Sequence, residues 1–209
     1  MANDNQDVLS LSVRDFIEAT GAKVPTPGGG SIAGVVGALA GALGQMALRF
    51  TQGKKKFAEH EEFYARLDAR LDKYRKMFEQ LVQDDMAAFT LYQQSTRMPE
   101  GPEREQALSV AIAAAIDVPR EMAKTSLALM EDLESMVGRC SKLLISDLVA
   151  AGALASAVVR LTDYNVRVNI PHLEDRMSAA EVRLASTEDV RRAARLLEML
   201  ELAVASTMP

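Results

Sequence analysis

Apolar positions recur every three to four residues along most of the chain, the period of helices that bury one face. No stretch alternates apolar and polar residues with β-branched enrichment, so no strand is expected. A short first helix should start after Ser10 or Ser12 and reach about Thr20, with Gly21 as its stop. A Pro/Gly loop follows, from Val24 to Gly30. A second helix starts near Ser31 and ends near Gly53. A long third helix runs from about Phe57 to Arg97, where Pro99 and Gly101 end it. A fourth runs from Pro102 to about Val137, kinked at Pro119, which has no N–H to donate, and ended by Gly138. A fifth spans about Ser141 to Ile170 and stops before Pro171. The last begins near Ser178 or Thr187, with Ser178-Ala-Ala-Glu181 as a capping box. No linker divides the chain and no repeat is present. The pattern predicts one all-α domain over residues 1–209, an up-and-down bundle of about six helices, with residues 1–10 as a flexible N-terminal tail.

Two helices break their own pattern. Tyr64, Leu67, Leu71, Tyr74, Phe78 and Leu81 form the apolar stripe of the third helix, and the next place in that register is Asp85. Its helical neighbours are Leu81, Val82, Ala88 and Phe89, among which an ionised carboxylate costs several kcal/mol unless it is paired or neutralised. Asp85 is therefore either a buried ion pair or a functional group. In the second helix Gly30, Gly34, Gly37, Gly41 and Gly44 share one face, and each interior glycine costs about 1 kcal/mol relative to Ala. A bare face admits another helix or a subunit at backbone contact, or a flat ligand. Pro25-Thr-Pro-Gly-Gly-Gly-Ser31 opens the helix with free N–H groups, which suit an anion in principle. No Walker lysine accompanies that loop.

Composition narrows the picture. The 209 residues include 12 Gly, one Cys and no Trp, and the net charge is -5. Forty-eight per cent apolar residues exclude a disordered chain, and one Cys excludes a disulfide scaffold. An acidic chain whose longest basic run is Lys54-Lys55-Lys56 is not a general nucleic-acid binder. No charge lies between Val24 and Leu48, long enough to span a bilayer. Yet that run is mostly Gly and Ala and carries Pro25, Pro27 and Gln45, which favours a buried core helix and no membrane contact. The first residues lack the basic and apolar regions of a signal peptide, and a cytoplasmic, reducing setting is expected.

Further candidates sit on the fifth helix and before the third. Asp147, between Leu143, Leu144, Ala150 and Ala151, repeats the Asp85 pattern, or serves as the acid favoured at a helix start. Asn165 and Asn169 share one face near the other end. Asp147 and Asn165 also share a face, yet stand about 27 Å apart along a straight helix, so only an antiparallel copy would bring them together. The three lysines either complement a helix C-terminus or hold an acidic substrate tail. His60 and His172 have no second His at ligand spacing, so no metal is expected. Cys140 reads as a small buried hydrophobe, and the Met residues as core filling.

Taken together these segments resemble the cyclodeaminase/cyclohydrolase family. They are Pro25-Thr-Pro-Gly-Gly-Gly-Ser31, the small-residue helix to Met46, Thr51-Gln-Gly-Lys-Lys-Lys-Phe57, Asp85-Met-Ala-Ala-Phe89, Ala115-Ile-Asp-Val-Pro119, Ser146-Asp147 and Asn165-Val-Arg-Val-Asn169. They cover roughly residues 11 to 176; Gly138-Arg139-Cys140 stands where the family often has a Gly-Asn pair. The resemblance implies an all-helical homodimer that binds a tetrahydrofolate derivative as substrate, with no permanently bound cofactor. It implies hydrolysis of 5,10-methenyltetrahydrofolate to 10-formyltetrahydrofolate, or cyclodeamination of 5-formiminotetrahydrofolate with ammonia release. Under it Asp85, Asp147 and Lys55 take catalytic roles. Pro27, Gly28, Gly29, Gly30, Ser31, Lys54, Lys56, Asn165 and Asn169 take substrate-binding ones. A non-catalytic helical assembly protein is the alternative from another class.

Overall fold

The computed structural model describes residues 7–173 and 175–205. Six α-helices follow in order: α1 (Val13–Gly21), α2 (Gly29–Arg49), α3 (Glu61–Thr96), α4 (Pro102–Ser135), α5 (Ile145–Asn169) and α6 (Arg176–Ala205). No strand occurs among the described residues. Short connections make α2 to α5 run up and down, and α5 returns to lie beside α2, closing a four-helix bundle. Helix α6 lies along α5 and α4.

The elements match their sequence signals, with local differences. Ser12 caps α1 by accepting from the Asp15 N–H at 3.1 Å. Helix α2 starts two residues before Ser31, because Gly28 serves as its N-cap without any side-chain bond. The segment before α3 is a 3-10 turn, Lys55–His60. Helix α4 continues through Pro119 as one helix. Helix α6 is not started by the expected capping box. Asp175 is the residue that accepts from the N–H groups of Met177 and Ser178 and from the Ser178 hydroxyl. Residues 8–10, assigned to a tail by sequence, form a 3-10 turn with Val8 buried. Asp7 beside it accepts from Gln83 at 2.6 Å. Residues 1–6 lie outside the described residues.

The α3 stripe is the heart of the core: Tyr64, Leu67, Leu71, Tyr74, Phe78 and Leu81 are all buried. Met122, Met130 and Met136 fill it from α4 and its C-cap, and Cys140 is buried too. The glycine face of α2 turns onto this stripe. A Cβ on Gly37 would stand 2.5 Å from the Phe78 ring, and one on Gly44 2.5 Å from Leu133 Cδ2. One on Gly34 would collide with Val82. Of the uses a bare face allows, close approach of other helices is the one observed: α3 and α4 fill it from within. At Gly41 a Cβ meets only ordinary contacts, from 3.7 Å outwards. Gly41→Ala should therefore gain up to about 1 kcal/mol from helix propensity. Gly37→Ala should lose about 1–3 kcal/mol by overpacking. Urea unfolding of the two variants checks the opposite signs.

Candidate functional site

Helix α2 begins against α3, and its first turn meets Asp85. Ser31, fully buried, donates its hydroxyl to Asp85 Oδ2 at 3.0 Å, and its backbone N–H points to the same carboxylate. Gly30 lies so close that a Cβ there would fall inside the carboxyl group. The amide end of α2, expected to attract an outside anion, is thus occupied by the protein's own carboxylate. Burial pushes the Asp85 carboxyl above its ordinary value, and the Ser31 hydroxyl and N–H pull it part of the way back. Asn165, from α5, completes this end. Its Oδ1 would be 3.6 Å from a Cβ on Gly29, and its Nδ2 is buried with no hydrogen-bond partner. Gly29, Gly30, Ser31, Asp85 and Asn165 thus converge at one end of the bundle. Gly28 caps α2, and a Cβ there would meet the Pro25 carbonyl oxygen at 3.3 Å; Pro27 precedes it after a cis peptide bond.

Asn169 lies one turn beyond Asn165, and the lysines and Asp147 lie at the far end. Lys54 donates to the Ser141 hydroxyl at 3.0 Å, and the Ser141 N–H donates to Thr51 Oγ1 at 3.0 Å. Thr51 in turn donates to the Ala47 carbonyl at 2.8 Å. These bonds tie the turn after α2 to the turn before α5. Burial pushes the Cys140 thiol up, with Thr51 and Lys54 opposing. Asp147 also bears on that thiol, so Lys54, Cys140 and Asp147 form one electrostatic neighbourhood. Lys55 is exposed, and Lys56 lies 5.4 Å from the centre of the Phe57 ring.

The apolar surround expected for Asp147 does not form, since Leu143 is 83 % exposed and Ala150 is exposed as well. The carboxylates that are most buried are others, which the sequence reading missed. Asp163 accepts from Ser186 at 2.7 Å and pairs with Arg167 at 2.8 Å, fastening α6 to α5. Asp132 pairs with Arg70 at 2.9 Å beside Tyr74. Asp163 and Arg167 stand at i,i+4, which was a readable signal; the Asp132 pair joins α4 to α3 and had none. Among the described residues no three His, Cys, Asp or Glu side chains form a group able to hold a metal ion.

The chain is a helical-bundle protein with a half-buried carboxylate at a glycine-opened helix and an unpaired amide donor at the same end. The chain belongs to the formiminotransferase-cyclodeaminase family, whose model matches residues 12–188. It is 29 % identical to a methenyltetrahydrofolate cyclohydrolase from Methylorubrum extorquens, over 85 % of this chain and 87 % of that protein. It is 31 % identical to the mouse formimidoyltransferase-cyclodeaminase, over 81 % of this chain. That match spans only 32 % of the mouse protein's length. The crystal structure of a formiminotetrahydrofolate cyclodeaminase from Thermotoga maritima superposes with a TM-score of 0.81 at 28 % identity, covering 96 % of each chain.

Proposed function

We propose that this protein is a methenyltetrahydrofolate cyclohydrolase, converting 5,10-methenyltetrahydrofolate and water to 10-formyltetrahydrofolate and a proton. The observation that carries the reading is Asp85, a carboxylate held by Ser31 where α2 meets α3 and raised by burial. The substrate carries its own electrophile, a cationic amidinium carbon, and the reading needs no resident cofactor. Asp85 takes a proton from the attacking water as the C–O bond forms. Its negative charge also favours the bound cation. The carbinol then loses its O–H proton while the bond to N5 breaks and N5 gains a proton. One proton is released overall. Asn165 Nδ2, buried and unpaired, is placed to donate to a ring acceptor of the substrate.

The same proposal makes the protein a homodimer in a reducing, cytoplasmic setting. Lys54 and Asp147 stand at the opposite end of the bundle from Asp85, since Asp147 and Asn165 are five turns apart on one helix, about 27 Å. An antiparallel partner would set the lysines and Asp147 of one copy beside Asp85 of the other. Helices α2 and α5 lie side by side, and both carry exposed apolar side chains, with Arg160 and Arg167 among those of α5. Leu39, Met46 and Phe50 are exposed on one; Tyr164 and Val168 are exposed on the other. That face fits a self-complementary contact. Leu39→Glu with Met46→Glu is expected to give monomers by light scattering and to lose turnover with the dimer. Retention of a dimer by the double variant would remove this face from the proposal.

The activity is tested by adding methenyltetrahydrofolate and following loss of its near-ultraviolet absorbance above the buffer rate. No acceleration would sink the cyclohydrolase reading. The likeness to the Thermotoga enzyme favours a second reading, cyclodeamination of 5-formiminotetrahydrofolate, and ammonia release from that substrate would support it.

A further inference from the structure

Pro119 is buried inside α4 and leaves a carbonyl without its helical partner. In an unbroken helix the oxygen of residue 115 accepts from the N–H of residue 119, and proline has none. Its ring also crowds that carbonyl and turns it outward. Asn169, the last residue of α5, supplies the missing donor: its Nδ2 reaches the Ala115 oxygen at 3.3 Å. The same Nδ2 donates to the Asn165 carbonyl at 2.9 Å. An amide nitrogen carries two hydrogens, and both are thereby committed. Asn169 has no donor left for a substrate, although its place in the sequence suggests a contact.

We propose that Asn169 is a positioning residue that acts through the carbonyl freed by Pro119. It clamps the last turn of α5 to the middle of α4, and Asn165 rides on that turn. The clamp fixes where the idle Asn165 amide stands against Gly29 at the Asp85 end of the bundle. A proline inside one helix and an asparagine ending another are thus one device. Each accounts for the other, although 50 positions separate them. The kinetic part of this inference rests on the cyclohydrolase reading; the pairing of Asn169 with Pro119 does not.

The test is a double-mutant cycle with Asn169→Ala, Pro119→Ala and both together. Residue 119 as alanine regains an N–H for the Ala115 oxygen, so the clamp is no longer the sole donor. Asn169→Ala alone is expected to lower the urea midpoint. It should raise the KM for methenyltetrahydrofolate roughly fivefold, the worth of one hydrogen bond, with kcat within about twofold. In the Pro119→Ala background the same change should cost much less in both KM and midpoint. A general loss of folded enzyme would lower kcat and leave KM alone. A direct substrate contact would raise KM equally in both backgrounds. Either of these patterns, or additive midpoints, overturns the proposal. If Asn169→Ala fails to fold, the double variant must fold, and its failure overturns the proposal as well. Wild-type protein inert towards methenyltetrahydrofolate would reject the activity, and the unfolding midpoints would still decide the clamp.

Discussion

Asp85→Asn is expected to lose activity by about 10²–10⁴-fold and to become more heat-stable at neutral pH. The loss follows because an amide cannot take a proton from water. The gain follows from the environment of the carboxylate. Burial raises its proton affinity in the folded state above the ordinary value of 3.8, and Ser31 offsets this only in part. The folded protein therefore binds more protons than the unfolded chain between the two values, and stability falls as pH rises through that window. Above the window the ionised carboxylate is a standing cost, which asparagine removes. Below the unfolded value both forms are neutral and the advantage disappears. Thermal scans at acid and neutral pH, with turnover at each, give the pair of signs. The acid limb of the wild-type kcat/KM profile should lie above the usual aspartate range and vanish in the variant. A folded Asp85→Asn protein with full turnover would rule out Asp85 as the base. The non-catalytic alternative predicts a change in stability alone.

Gly30→Ala should be nearly as damaging, by a different route. The added methyl would stand 2.7 Å from Asp85 Oδ2 and closer still to the rest of the carboxyl group. Either the carboxylate swings away from Ser31 or the first turn of α2 lifts. A displacement of about 1 Å at a reacting group costs about 10²-fold, and that is the expected fall in kcat/KM. Helix propensity favours alanine here, so stability alone does not forecast the loss. Gly41→Ala, on the same face with room around it, is the matched control. Equal activity in the Gly30 and Gly41 variants would show that the contact with Asp85 does not matter.

Much of the fold was legible because it is set by period and punctuation. The stripe from Tyr64 to Leu81 keeps a helical register, and all of it is buried. Pro99, Gly101 and Gly138 fell at ends of helices, two of them glycines at positive φ. Asp85 was legible for the same reason, as a charge in an apolar register. What escaped lies between elements. Nothing local says that Ser31 reaches a residue 54 positions away, or that Asn169 answers Pro119. The surround of Asp147 was misjudged because periodicity tells which residues share a face. It does not tell whether another helix covers that face, and Leu143 stands in solvent. The glycine face was legible as one for close helix packing or a ligand; that its cover is the chain's own α3 and α4 was not.

That covering has an evolutionary consequence. Gly34 abuts Val82, Gly37 abuts Phe78 and Gly44 abuts Leu133, and one more carbon at any of them makes the neighbour move. Such positions drift singly at a cost. A larger residue on α2 is tolerated best when its opposite number shrinks, so the three pairs should change in concert, the rigid Gly37–Phe78 pair most strictly. The spacing of α2 from α3 and α4 is inherited as a set of matched partners, and the depth at which Asp85 sits is inherited with it.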